Sequence, residues 1–217
     1  MMTFGVSITD AQGRQWISPL APPMNLVSRF QWTLHPEGRQ QQYINTGVPA
    51  HLNSVIFIRQ VSGNQTFSGQ MVNRGGSWLY EVNTAGSGGF ANPVDSVFIV
   101  YVFANMVTVS GGWGIQIYDK NGNVAWDARM LPLEVNAYNI PQTDIPVNMG
   151  HGVAVMPGLS QWSAWYGYDF YISSFNARGT LIERASTQAN DGLYASEYEG
   201  VINRTCYYIN TDIYDTF

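Results

Sequence analysis

Residues 5–13, GVSITDAQG, and residues 114–122, GIQIYDKNG, are two versions of one phrase, set 109 positions apart in a chain of 217. Gly5/Gly114, Val6/Ile115, Ile8/Ile117, Asp10/Asp119 and Gly13/Gly122 fall in register, and a tryptophan follows each copy, Trp16 and Trp126. Apolar residues at alternate positions, running into a short Asp/Asn/Gly stretch, suit a strand that enters a tight hairpin. The offset is half the chain length. That spacing predicts two β-rich halves, each opening with the same hairpin.

The rest of the chain reads the same way. Strand-like runs rich in Val, Ile, Phe, Tyr and Trp occur at Phe4–Thr9, Gln15–Ser18, Ser54–Val61, Ser77–Val82, Ser96–Thr108, Trp113–Tyr118, Asn123–Asp127, Val153–Met156, Ala164–Ser174 and Cys206–Ile209. Gly, Asn, Pro and Ser bound them. From Trp165 to Ile172 aromatic residues fall on both faces, which predicts a strand covered on both sides. The one segment with any helical spacing is Leu181–Gln188, expected as a helical turn. Prolines at 19, 22 and 23 exclude residues 18–23 from a sheet interior. Val109-Ser110-Gly111-Gly112 is the natural joint. The expected fold is therefore all-β, two β-sandwich-like halves over residues 1–110 and 111–217. Residues 211–217 are expected either to dock or to fray.

Composition narrows function by exclusion. Charged residues make up 12% of the chain against roughly 25% in ordinary soluble proteins. Aromatics reach 14%, with seven Trp and thirteen Tyr. A polar but mostly uncharged surface suits packing into an assembly or stacking on sugars, because desolvating charge is costly. The net charge of −5 and the single lysine, Lys120, leave no basic cluster to meet nucleic-acid phosphates or a membrane surface. The longest apolar run, Val97 to Val109, is too short to cross a bilayer. The segment MMTFGVSITD has no signal-peptide pattern, and Cys206 as the sole cysteine rules out an intrachain disulfide. Synthesis in a reducing cytoplasm is expected, and the sequons at Asn64 and Asn203 read as chance matches.

No catalytic or cofactor-binding constellation stands out. His35, His51 and His151 lack the spacing of an imidazole metal site. His151, between Gly150 and Gly152, is the most distinctive of the three. Asp10 and Asp119 are explained by turn formation, and each hairpin holds too few carboxylates for calcium. Asp169, Glu183, Glu197 and Glu199 could supply a glycosidase pair, but fifteen scattered acids are a background level. The aromatic group Trp162, Trp165, Tyr166, Tyr168 and Tyr171 is the best recognition candidate. It fits core packing, a subunit interface or a sugar-stacking face.

The stretch Trp113-Gly114-Ile115-Gln116-Ile117-Tyr118-Asp119-Lys120-Asn121-Gly122-Asn123-Val124-Ala125-Trp126-Asp127-Ala128-Arg129 resembles a hairpin of small tail-associated structural proteins of tailed bacteriophages. That hairpin reads Gly-aliphatic-x-aliphatic-aromatic-Asp/Asn-x-x-Gly-x-x-x-aromatic-Asp and usually closes with Ser, where this chain has Ala128. The N-terminal copy departs further, since Trp16-Ile17-Ser18 lacks the Asp. The resemblance implies a non-enzymatic β-rich virion component of the tail tip or fibre attachment, made in the host cytoplasm, with no cofactor. Its implied partners are other virion tail proteins and further copies of itself. A carbohydrate-binding module contacting a host surface glycan through Trp162, Trp165, Tyr166 or Tyr168 is the alternative.

Overall fold

The computed structural model describes residues 8–9, 15–17, 23–35, 41–63, 65–83, 95–108, 114–118, 121–141, 145–164, 170–190 and 198–216. Within them the regular structure is β-strand, with one 3-10 turn at Thr211–Ile213. The first half runs β1 (Ile8–Thr9), β2 (Gln15–Ile17), β3 (Asn25–Leu34), β4 (Gln42–Pro49), β5 (Ser54–Ser62), β6 (Ser68–Arg74), β7 (Ser77–Asn83) and β8 (Ser96–Ala104). The second half opens with β9 (Gln116–Tyr118), β10 (Val124–Asp127), β11 (Asn136–Asn139), β12 (Val147–Asn148) and β13 (Val153–Val155). It continues with β14 (Leu159–Ala164), β15 (Phe170–Arg178), β16 (Leu181–Asn190), β17 (Tyr198–Val201) and β18 (Thr205–Asn210).

The two copies of the repeated phrase form equivalent hairpins. In the first, Ile8 faces Ile17 and Thr9 faces Gln15; in the second, Ile117 faces Trp126 and Tyr118 faces Val124. Adding 109 to every number of the first register yields the second. Each hairpin also carries one extra residue at the same place, Trp16 and Ala125, which forms a bulge. Ile17, rather than Trp16, thus stands where Trp126 does.

The duplication extends past the hairpins. In the first half β3 pairs β8 and β8 pairs β5, while β4 pairs β7 and β7 pairs β6. In the second half β11 pairs β18 and β18 pairs β13, while β12 pairs β16 and β16 pairs β15. Taken in chain order these are the same two sets of three antiparallel strands, separate sheets in the first half. In the second half β15 also meets β5 in parallel at Arg178–Gln60, which draws both sets into one sheet. Among the described residues the second half adds β14 and β17, with β14 lying between β15 and β17. The third strands of the two halves, β5 and β13, meet antiparallel at Ile58–Val155. The front sheets therefore join edge to edge in the order β3-β8-β5-β13-β18-β11.

This joined sheet is covered on both faces. Phe98, Val100 and Val102 of β8, Ile56 and Ile58 of β5, Val153 and Val155 of β13 and Cys206 of β18 point into one core. That core also holds Ile44, Val48 and Val82 from the first half and Phe175, Ala177 and Ile182 from the second. Leu26, Phe57, Tyr101, Phe103, Ala154 and Ile209 point the other way and pack with Tyr214, Leu131 and Leu133. The period-two alternation of strand side chains sends neighbours such as Val100 and Tyr101 to opposite cores. Double-sided burial thus falls on β8, whose residues 100–104 are all buried; Trp165 to Asp169 of the expected double-sided strand lie outside the described residues.

Leu181–Gln188 is strand, not a helical turn. Residues 181–188 and Asn190 of β16 pair with β15, and Leu181 and Ile182 pair with β12. Leu, Glu, Arg, Ala and Gln favour a helix locally, but pairing on two edges and burial of Ile182 outweigh a propensity worth a few tenths of a kcal/mol per residue. The tail docks: Thr211 and Tyr214 are fully buried.

Candidate functional site

Trp162 lies on β14, opposite Ile172 on one side and Gly200 on the other. Its side chain, and residues Trp165, Tyr166 and Tyr168 as a whole, lie outside the described residues. Of the candidate carboxylates, Asp169 and Glu197 lie outside them too; Glu199 pairs with Ser163 on β17. Glu183 accepts from the Asn176 amide at 2.9 Å and sits 3.8 Å from Arg178.

The charged groups that come together hold the molecule's own parts in place. Asp215 is gripped by Arg59 at 2.8 Å, by Arg29 at 3.1 Å and by the Tyr101 hydroxyl at 2.6 Å. Both guanidinium groups lie 5.8 Å from the centre of the Tyr101 ring. Arg59 also donates to Thr211 at 2.6 Å. Burial pushes the Tyr101 phenol up to about 12, and its donation to Asp215 adds to that. Partial burial raises the Asp215 carboxyl, but the bonds from Tyr101 and Arg59 and the charges of Arg59 and Arg29 outweigh it, so the net direction is downward. Next to this cluster the Tyr214 hydroxyl donates to Pro132 and accepts from the Glu134 amide. Leu26 and Leu133 donate to Leu131 and Met24, so residues 131–133 run along the start of β3. The C-terminal turn is thereby latched to three strands of the first half.

A second polar set lies where the halves meet. Asn176 and Arg178 of β15 both donate to the Gln60 side chain of β5, at 2.7 Å each. The Gln60 amide donates to Gln65 at 2.8 Å. Gln60, Gln65 and Asn176 are buried, so their bonds are formed away from competing water.

A third set centres on Asp127, the acid of the aromatic-Asp pair in the hairpin resemblance. It is 1% exposed and accepts from the Arg129 side chain at 2.6 and 2.8 Å, from the Arg129 amide at 2.9 Å and from Gln116 at 2.8 Å. The Arg129 bonds, with the one from Gln116, hold its carboxyl well below the usual carboxylate range. The bidentate fork ties hairpin β9–β10 to the chain that leads on to Leu131.

His151 Nδ1 donates to the Gly152 carbonyl, 3.0 Å away, and its ring stacks on Tyr208 at 6.2 Å. Gly150 has φ +76. A Cβ on Gly152 would sit 2.4 Å from Thr211 Oγ1, so the two glycines serve a turn and a close approach. His35 bonds Asp95 at 3.0 Å on an exposed edge. Among the described residues no three His, Cys, Asp or Glu groups are placed to hold a metal ion. Burial pushes the Cys206 thiol up to about 12, which leaves it a poor nucleophile.

Sequence reading missed Arg29, Arg59, Tyr101 and Asp215. Among these, Arg59 gave a usable signal: in a chain with ten cationic side chains it falls inside the strand-like run Ser54–Val61. Comparison with family models, with curated proteins and with solved structures found no match.

Proposed function

We propose that the chain is a non-enzymatic structural component of a bacteriophage tail, at the tail tip or fibre attachment, acting by packing against neighbouring subunits. The observation that carries this reading is the disposition of charge and apolar groups. Arg59, Asp127, Arg129 and Asp215 are engaged in internal clamps, while Ile115, Ile145, Tyr118, Val61 and Ile202 stand exposed. Such a surface loses little on burial against another subunit, since few ions need desolvating. The doubled, clamped scaffold also suits a geometric role, because it offers two related surfaces on one rigid sheet. The hairpin resemblance at Trp113–Arg129 points the same way, and Asp127 gives its aromatic-Asp pair a structural purpose. Mass spectrometry of purified virions tests the proposal: a stoichiometric peptide signal is expected, and its absence from infectious particles overturns it.

One observation favours a second reading, a carbohydrate-binding module that contacts a host surface glycan. Among the described residues, strands β14 and β17 are what the second half has beyond the shared six-strand plan, and Trp162 lies on β14. Additions to a duplicated scaffold are where the copies can diverge in role. Glycan-array binding that disappears in Trp162→Ala at unchanged melting temperature would establish it; no binding to any glycan would remove it.

A further inference from the structure

Arg184 is 9% exposed and sits on β16 opposite Phe175, on the strand face that also carries the fully buried Ile182. Its Nε donates to Ser160 Oγ at 2.8 Å. Ser160 is itself fully buried, at the irregular step in the pairing of β14 with β15, and its hydroxyl donates on to the Asn203 carbonyl at 3.2 Å. The two terminal amino groups of Arg184, Nη1 and Nη2, have no hydrogen-bond partner among the described residues. The adjacent carboxylate, Glu183, belongs to the opposite strand face, where Asn176 and Arg178 engage it.

A guanidinium does not give up its proton inside a protein, so burial cannot be relieved by neutralisation. An unpaired buried cation is among the most costly arrangements a fold can hold. Here Ser160 fixes the side chain through Nε and leaves the end-on fork of Nη1 and Nη2 unused. That fork matches the two oxygens of a carboxylate or of a phosphate-type group in a bidentate pair.

We propose that Arg184 is the anchor of an oxyanion site inside the second sandwich, taking a carboxylate or phosphate-class group on Nη1 and Nη2. Ser160 is its positioning residue. Thermal unfolding of the full chain is followed in acetate, in inorganic phosphate and in chloride at matched ionic strength. The probe that binds raises the folded-to-unfolded ratio about a hundredfold when it stands at a hundred times its Kd. A response to acetate alone identifies a carboxylate site, and one to phosphate identifies a phosphoryl site. Arg184→Met is expected to abolish the anion-specific response. Loss of all difference between the anions and chloride overturns the proposal, as does an undiminished response in Arg184→Met. If that variant does not fold, the arginine side-chain nitrogen signals of the unsubstituted protein are titrated with the same probes. A saturable shift of one arginine upholds the site, and shifts linear in salt, or none, sink it.

Discussion

Ile58 and Val155 stand opposite one another, both fully buried, at the point where the third strands of two like-ordered half-folds meet antiparallel. Because β5 and β13 hold the same place in each pairing order, the contact relates the halves as a dimer interface relates subunits. Both side chains point into a single core that also takes Phe98 from the first half and Phe175 from the second.

Ile58→Ala is therefore expected to weaken both halves together. Truncating a buried isoleucine costs about 2–5 kcal/mol. Denaturant unfolding should shift to a lower midpoint as one transition, with tryptophan fluorescence and far-ultraviolet dichroism coincident. Two separated transitions in the variant would show that the seam is not shared.

Asp215→Asn removes the anion from between Arg29 and Arg59 and is expected to cost about 1–2 kcal/mol, at the lower end because the carboxylate is partly solvated. The folded carboxyl titrates below its unfolded value of about 3.9. Its contribution is thus complete above that value and fades as pH falls through the folded one. The gap between wild type and variant should be constant near pH 7 and shrink below about pH 4, as read by urea titration across pH.

Gly152→Ala places a methyl 2.4 Å from Thr211 Oγ1 and 2.7 Å from Asp212 Oδ1. Thr211 is buried and bonded to Arg59, so it cannot swing away without breaking the latch. A loss of about 1–3 kcal/mol is expected. Gly150→Ala, strained at φ +76 but with open space around it, should cost only about 1 kcal/mol. Equal losses at the two positions would argue against the close approach.

Asp127→Ala should loosen one hairpin without unfolding the protein. Ala128 donates to Ile115 and Met130 donates to Asp127 in the turn that the Arg129 fork closes. Amide hydrogen exchange at Ala128 and Met130 is expected to accelerate, while amides of β8 keep their protection. Unchanged exchange at those two positions would make the fork dispensable.

Much of this fold was legible from residue pattern. The phrase at residues 5–13 and 114–122 predicted two hairpins, and they share a register down to the bulge at Trp16 and Ala125. Strands with dense β-branched and aromatic runs, such as Ser54–Val61 and Ser77–Val82, were readable for the same reason. Strand β3, Asn-Leu-Val-Ser-Arg-Phe-Gln-Trp-Thr-Leu, was not, because Arg29 and Gln31 interrupt its apolar pattern. Those polar positions are tolerated because Arg29 finds Asp215, a partner 186 residues away. Leu181–Gln188 misled for the opposite reason, with local helix formers overruled by two strand neighbours.

By itself the sequence determined the all-β class, the duplication and the low-charge surface, since each follows from short-range periodicity, internal comparison or composition. Only the tertiary structure decided that β5 meets β13, that the C-terminal turn latches onto Arg29, Arg59 and Tyr101, and that Arg184 is buried with its fork unused by any described residue. Those facts depend on which residues far apart in the chain share a dry interior. Periodicity reports which face of a strand is apolar, and carries no information about the face it will meet.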